Sequence, residues 1–278
     1  MLVAVFAMFF VYHSSVLFLV QRYGAAPATG LHYSQGLANL RTLNGIRMRK
    51  NAIWCIPGTF FLIICVLDLI GCVQGTKMDN IVKPALLPLL TATTLAYLLG
   101  RDIVDYRPVG LLAAAQLFGF AGDTLLLPSG FWLFISGMAA FLVGHLCYMA
   151  LYGGISWKGL TVWQWIVSIV VMGAVAYPLV KVTGISGQMF WPMVVYGFAL
   201  LFLVFSSFAG VLRMPKGSRS TWWILLAGAL LFLVSDILLA MSIFGTLKFA
   251  LRSFVIMGTY LAAQSLLAVG GIRLILGK

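Results

Sequence analysis

Nine stretches of this chain are apolar over the length of a bilayer, and that feature limits its fold more than any motif does. A transmembrane helix needs about 20 mainly apolar residues. Such runs cover 2–20, 52–73, 84–100, 109–127, 131–152, 161–180, 190–212, 221–244 and 254–275. Lipid offers no partner to a backbone N–H or C=O, so each run should be a helix. The rest of the composition agrees. With 9% charged residues against 62% hydrophobic ones, the chain cannot clothe a water-facing surface; a soluble domain uses roughly a quarter charged residues. A soluble enzyme, a disordered chain and a disulfide-stapled secreted domain are excluded. The expected fold is all-α, a polytopic transmembrane helix bundle with an eight-helix core and one extra N-terminal span.

Two domains are expected. Residues 1–51 hold a membrane anchor and a polar, basic linker; residues 52–278 hold the eight-span catalytic membrane domain. The first run lacks a basic flank and a small-residue cleavage site, so it reads as an anchor rather than a signal peptide. Between the runs 109–127 and 131–152 lies a Pro-Ser-Gly turn, which predicts a tight hairpin. The charges number 18 Lys and Arg against 6 acids, all Asp. With nine spans, 13 of those 18 bases fall on the side of 21–51, 101–108, 153–160, 213–220 and the C-terminus, which makes that side cytoplasmic. The net charge of +12 therefore reads as contact with membrane lipids, not nucleic acid. Cys55, Cys65, Cys72 and Cys147 sit in apolar runs without a CxxC pair and read as packing residues. Whether the membrane is that of the endoplasmic reticulum or a bacterial cytoplasm is left open by the sequence, as is the oligomeric state.

Ionisable side chains inside such spans are costly and mark function by default. Asp123 lies in LFGFAGDTLLL, Asp236 in LLFLVSDILLA and His145 in FLVGHLCYMALY. Lys83 stands at the mouth of a span directly before Pro84, which is expected to open it. Tyr260 and Gln264 lie one helical turn apart. Counting along alternating spans places Lys83, Asp123, Asp236 and Tyr260 in the same half of the bilayer, with His145 a turn or two deeper. The helical faces agree: Gln116, Gly119 and Asp123 share one stripe, as do His145, Tyr148 and Tyr152, and Tyr260 with Gln264. Such stripes should face one another around a small interior cavity. Bland readings stand beside this one. Tyr148, Tyr152 and Gln264 could be interhelical hydrogen-bond partners alone, His145 a satisfied packing residue, and Lys83 a snorkelling side chain. Asp68, near the end of its span, reads as structural. Two carboxylates at similar depth are harder to explain by packing.

At these residues the sequence resembles the YhhN-like membrane family, whose characterised members are lysoplasmalogenases. The resemblance rests on an ordered series: Lys83-Pro84, Gly122-Asp123-Thr-Leu-Leu-Leu, Gly144-His145-Leu-Cys-Tyr148, Ser235-Asp236-Ile-Leu-Leu-Ala240 and Thr259-Tyr260-Leu-Ala-Ala-Gln264. It covers roughly residues 52–275, so the first span and linker look like an addition to an eight-helix core. The resemblance implies hydrolysis of the vinyl ether bond of lysoplasmalogens to a fatty aldehyde and glycerophosphoethanolamine or glycerophosphocholine.

That chemistry suits the residues. Acid cleaves a vinyl ether by protonating its β-carbon, and the oxocarbenium ion so formed needs an anion beside it and then water. Glycosidases meet a related demand with two carboxylates, one kept protonated and the other ionised. Asp123 and Asp236 could divide the work this way. Either could be the acid; its greater depth and desolvation favour Asp236 as donor, with Asp123 stabilising the cation and orienting water. His145 and Tyr260 complete the catalytic set by holding that water or relaying protons. Lys83 and Arg252 are expected at the substrate phosphate, and Tyr148 and Gln264 along the substrate. No cofactor is called for. A zinc hydrolase would need about three His ligands, and His13 and His32 lie outside the core. The runner-up is a transporter or proton-coupled carrier, which also uses intramembrane Asp and His.

Overall fold

The structure, a computed structural model, describes residues 53–76, 78–101, 103–153, 160–245 and 249–277. The expected N-terminal span and its linker, with His13 and His32, lie outside the described residues. The eight other runs form helices α1 (Cys55–Gln74), α2 (Met78–Leu99), α3 (Arg107–Leu125), α4 (Phe131–Leu151), α5 (Val162–Thr183), α6 (Phe190–Arg213), α7 (Lys216–Ile243) and α8 (Arg252–Ile275). All eight are long and apolar enough to cross a membrane. A 3₁₀ turn over Gly187–Met189 leads into α6, and Gly130, at φ 154°, closes the short α3–α4 hairpin.

Two helices begin a turn or more before their apolar runs. Pro84 does not open its span; α2 already starts at Met78 and carries Pro84 and Pro88 inside it. Helix α7 starts at Lys216 rather than 221. Hydropathy marks only the apolar part of a helix, whereas the ladder of backbone bonds continues into polar flanks. Prolines are tolerated within a membrane helix because neighbouring groups re-satisfy the freed carbonyls.

Successive helices pack as antiparallel neighbours from α1 to α4 and again from α6 to α8, and α4 packs against α6. Helix α8 returns to α1 and also touches α2 and α3. Seven helices thus close a ring of contacts, and α5 lies outside it against α6 and α7. Burial follows this order: 50% of the apolar span of α8 is buried, against 11% of α5. Outward-facing Trp163, Val167 and Val170 on α5 are exposed, as befits a helix whose surroundings are lipid.

Inside the ring, small residues bring backbones together, the usual device where lipid removes the hydrophobic drive between helices. A Cβ on Gly144 would stand 3.0 Å from the Ala115 carbonyl oxygen, and one on Gly137 would stand 3.2 Å from that of Gly122, so α3 and α4 meet almost backbone to backbone. Polar bonds pin other pairs. Gln116 Nε2 donates to Thr94 Oγ1 at 3.2 Å, joining α3 to α2. Ser235 Oγ donates to the Ile256 carbonyl at 3.0 Å, and Arg273 Nη2 to Ser220 Oγ at 3.0 Å, so α7 and α8 are tied at two heights.

The contact of Gly210 with Trp222 tests this packing. Trp222 is 1% exposed, and a Cβ on Gly210 would fall inside its indole ring. Gly210→Ala should destabilise the bundle by about 1–3 kcal/mol, the usual cost of overpacking. Gly217→Ala, with open space around it, should leave unfolding in detergent unchanged.

Candidate active site

Asp123 lies in the last turn of α3 and is 3% exposed. Its stripe-mates Gln116 and Gly119 are buried with it. Tyr260 of α8 donates its hydroxyl to Asp123 Oδ2 at 2.6 Å. Lys83 of α2 places Nζ 3.8 Å from Oδ1. One carboxylate therefore joins three helices. The network runs on along α8: Gln264 Nε2 donates to the Tyr260 hydroxyl at 3.3 Å, and Tyr148 of α4 donates to Gln264 Oε1 at 3.4 Å. Glycine at 119 permits this. A Cβ there would stand 2.7 Å from Leu87 Cδ1 and 3.4 Å from Gln264 Nε2.

Asp236 of α7 is half-buried. The bond from Ser235 to the Ile256 carbonyl holds its backbone against α8. Tyr196 of α6 donates its hydroxyl to Asp236 Oδ2. The two carboxylates lie within electrostatic reach of each other, and Tyr196 and Tyr260 each feel both.

Aromatic rings connect the two Asp–Tyr pairs. Phe232 precedes Asp236 by one turn, and Phe141 precedes His145 by one turn. The His145 ring lies 5.5 Å from Tyr196 and 4.8 Å from Phe232; Phe232 lies 5.6 Å from Tyr260, and Tyr260 lies 6.2 Å from Phe141. Most of these contacts are edge-on, the favoured aromatic geometry. His145 is 2% exposed, and among the described residues neither of its ring nitrogens has a hydrogen-bond partner. A buried polar group in that condition is uncommon and calls for a reason.

The structure thus gathers most of the residues singled out by the sequence. Lys83, Asp123, Tyr260, Gln264 and Tyr148 form one bonded chain, and Asp236 and His145 join it through rings and charge. Lys83 does more than snorkel, because its ammonium is directed at Asp123. Tyr148 and Gln264 make interhelical bonds. Tyr152 is also buried, receiving a hydrogen bond from Ser207 at 3.4 Å. Arg252 stands apart: it is exposed in the first turn of α8, and among the described residues no ion pair reaches it. The expected order of burial is reversed, since Asp123 is the more enclosed carboxylate and Asp236 the more accessible. Asp68, in the second half of α1, is fully buried. Tyr196 had no place in the sequence reading. A tyrosine seven residues into a span resembles a membrane-belt residue, and only its spatial partner distinguishes it. Among the described residues no three His, Cys, Asp or Glu side chains converge to share a metal ion.

Tyr260→Phe deletes the neutral donor to an enclosed carboxylate. Hydrogen bonds to charged groups contribute about 1.5–3 kcal/mol. The variant should lose stability in that range on unfolding in detergent and keep its helical content.

No solved structure matches the chain. The YhhN family matches residues 78–271, a span that begins at α2 and contains Lys83, Asp123, His145, Tyr196, Asp236 and Tyr260. The match starts later than the resemblance over 52–275 had suggested, leaving α1 outside. On that match the chain belongs to the YhhN family, the family of lysoplasmalogenases.

Proposed function

We propose that this protein hydrolyses the vinyl ether bond of lysoplasmalogens. The observation that carries the reading is the pair Asp123 and Asp236, from α3 and α7, within electrostatic reach of one another in a chain of this family. Two carboxylates held out of water in this way suit a reaction that needs one proton and one negative charge in the same place.

The partners of each carboxylate suggest the division of labour. Lys83 stands on Asp123, and among the described residues no cation pairs with Asp236. Asp123 is therefore the anion and Asp236 the acid. This agrees with the assignment favoured by the sequence, although the reason differs. Asp236 is the acid because it lacks a cation and is open to substrate, not because it is the deeper group.

Asp236 transfers its proton to the β-carbon of the alkene, and the ether oxygen shares the positive charge left on the α-carbon. Asp123 stabilises that oxocarbenium ion. Water adds its oxygen to the α-carbon and returns a proton to Asp236. The hemiacetal then collapses: its hydroxyl proton passes to Asp123 and the leaving glycerol oxygen takes a proton from Asp236, giving aldehyde and alcohol. Proton exchange between the two carboxyls restores the starting state. His145, with two unpartnered ring nitrogens, is suited to hold the attacking water. Lys83 retains 22% side-chain exposure, so its outer face can also meet the substrate phosphate. The alkenyl chain would lie among apolar side chains of the bundle, and the substrate is drawn from the membrane in which the protein resides.

Purified protein in detergent tests this directly, because hydrolysis needs no sealed compartment and transport does. Aldehyde should appear from lysoplasmalogen and not from the saturated ether analogue, since only an alkene accepts a proton on carbon. Asp123→Asn and Asp236→Asn should each lower the rate by at least about 10²–10⁴-fold, the range of general acid–base contributions, while both variants keep their helical content. Equal cleavage of both ethers, or full activity in either variant, would refute the mechanism.

A further inference from the structure

We propose that Tyr196 is a positioning residue that fixes the orientation of Asp236, so that one carboxyl oxygen, Oδ1, presents the mobile proton. The inference rests on the reading of Asp236 as proton donor and extends it to a side chain on another helix. A carboxyl group can rotate about its last torsion, a broad and nearly two-fold one. A proton delivered to carbon needs a fixed direction, and misplacement by about 1 Å can cost roughly 10²-fold in rate.

Three observations single out Tyr196 for this task. Its hydroxyl donates to Asp236 Oδ2, which commits that oxygen as acceptor and leaves Oδ1 for the proton. Next, Asp123 has two partners, Lys83 and Tyr260, whereas Tyr196 is the one hydrogen-bond donor to the Asp236 carboxyl among the described residues. Loss of a phenol leaves Asp123 still held and Asp236 free to turn. Finally, Tyr196 is itself braced. Its ring meets His145 at 5.5 Å, His145 meets Phe232 at 4.8 Å, and Phe232 lies one turn before Asp236 on α7. Asp236, Tyr196, His145 and Phe232 thus close a loop through α7, α6 and α4. The loop fixes the phenol from its far side without placing another polar group on Asp236.

Tyr196→Phe removes the hydroxyl and keeps the ring against His145. With lysoplasmalogen as substrate and purified protein in detergent, kcat should fall about 10- to 100-fold, KM should stay within about threefold, and the unfolding midpoint should fall less than that of Tyr260→Phe, because Asp236 is protonated and half-buried. Transfer to D₂O separates positioning from a slowed product release. If protonation of carbon has become harder, the solvent isotope effect on kcat in the variant should equal or exceed that of the parent; rate-limiting product release would shrink it toward one. Parent-like kcat, a loss confined to KM, or a shrunken isotope effect would each overturn the assignment while leaving the proposed reaction intact. A parent protein that releases no aldehyde would overturn the reaction and this inference together. Should the phenylalanine variant fail to fold, Tyr196→Met, which also lacks the hydroxyl, takes its place in the same measurements.

Discussion

A carboxylate enclosed in a membrane bundle must find its partners inside the protein, and the arrangement around Asp123 follows from that requirement. It is shielded from bulk water at 3% exposure and lipid cannot solvate it, so charge and hydrogen bonds must come from other helices. Lys83 supplies the charge from α2 and Tyr260 the hydrogen bond from α8. Meeting this demand of one side chain draws three helices to a common point. Gly119 keeps α3 slim enough for α2 and α8 to arrive, since a Cβ there would stand 2.7 Å from Leu87 Cδ1 and 3.4 Å from Gln264 Nε2.

The second carboxylate is handled differently, and the difference bears on chemistry. Asp236 has a phenol and a half-open position where Asp123 has a phenol, a cation and near-complete enclosure. Two like groups in unlike surroundings are the usual route to an acid and a base at one pH. The rings of His145, Phe232 and Phe141 link the two Asp–Tyr pairs. They hold both phenols through shape and offer no competing polar group. His145 is the exception, with polar atoms facing a neighbourhood of rings, and that is where a water or a substrate oxygen would be most welcome.

Much of this was legible in the sequence, for physical reasons that can be named. Charged residues are so disfavoured within a span that Asp123, Asp236, His145 and Lys83 stood out without any structure. The 3.6-residue period showed which neighbours shared their faces, and the buried stripes of Gln116, Gly119 and Asp123 and of His145, Tyr148 and Tyr152 lie where that period put them. Alternation of span direction brought Lys83, Asp123, Asp236 and Tyr260 to one height. Helix ends were less legible, because α2 and α7 extend into polar residues that hydropathy does not register. Arg252 opens the same helix as Tyr260, yet it is exposed and no ion pair reaches it among the described residues.

The sequence alone determined that this chain is a bundle of membrane-crossing helices with a few expensive polar groups inside, because bilayer thickness and the cost of burying charge act on each span separately. Tertiary structure decided which groups meet. That Tyr196 serves Asp236, that Lys83 serves Asp123, that the carboxylate expected to be more shielded is the more open one, and that α5 lies outside the ring all depend on which helix faces which. No single helix carries that information. It follows from the packing of small residues, rings and hydrogen bonds among helices distant in the chain.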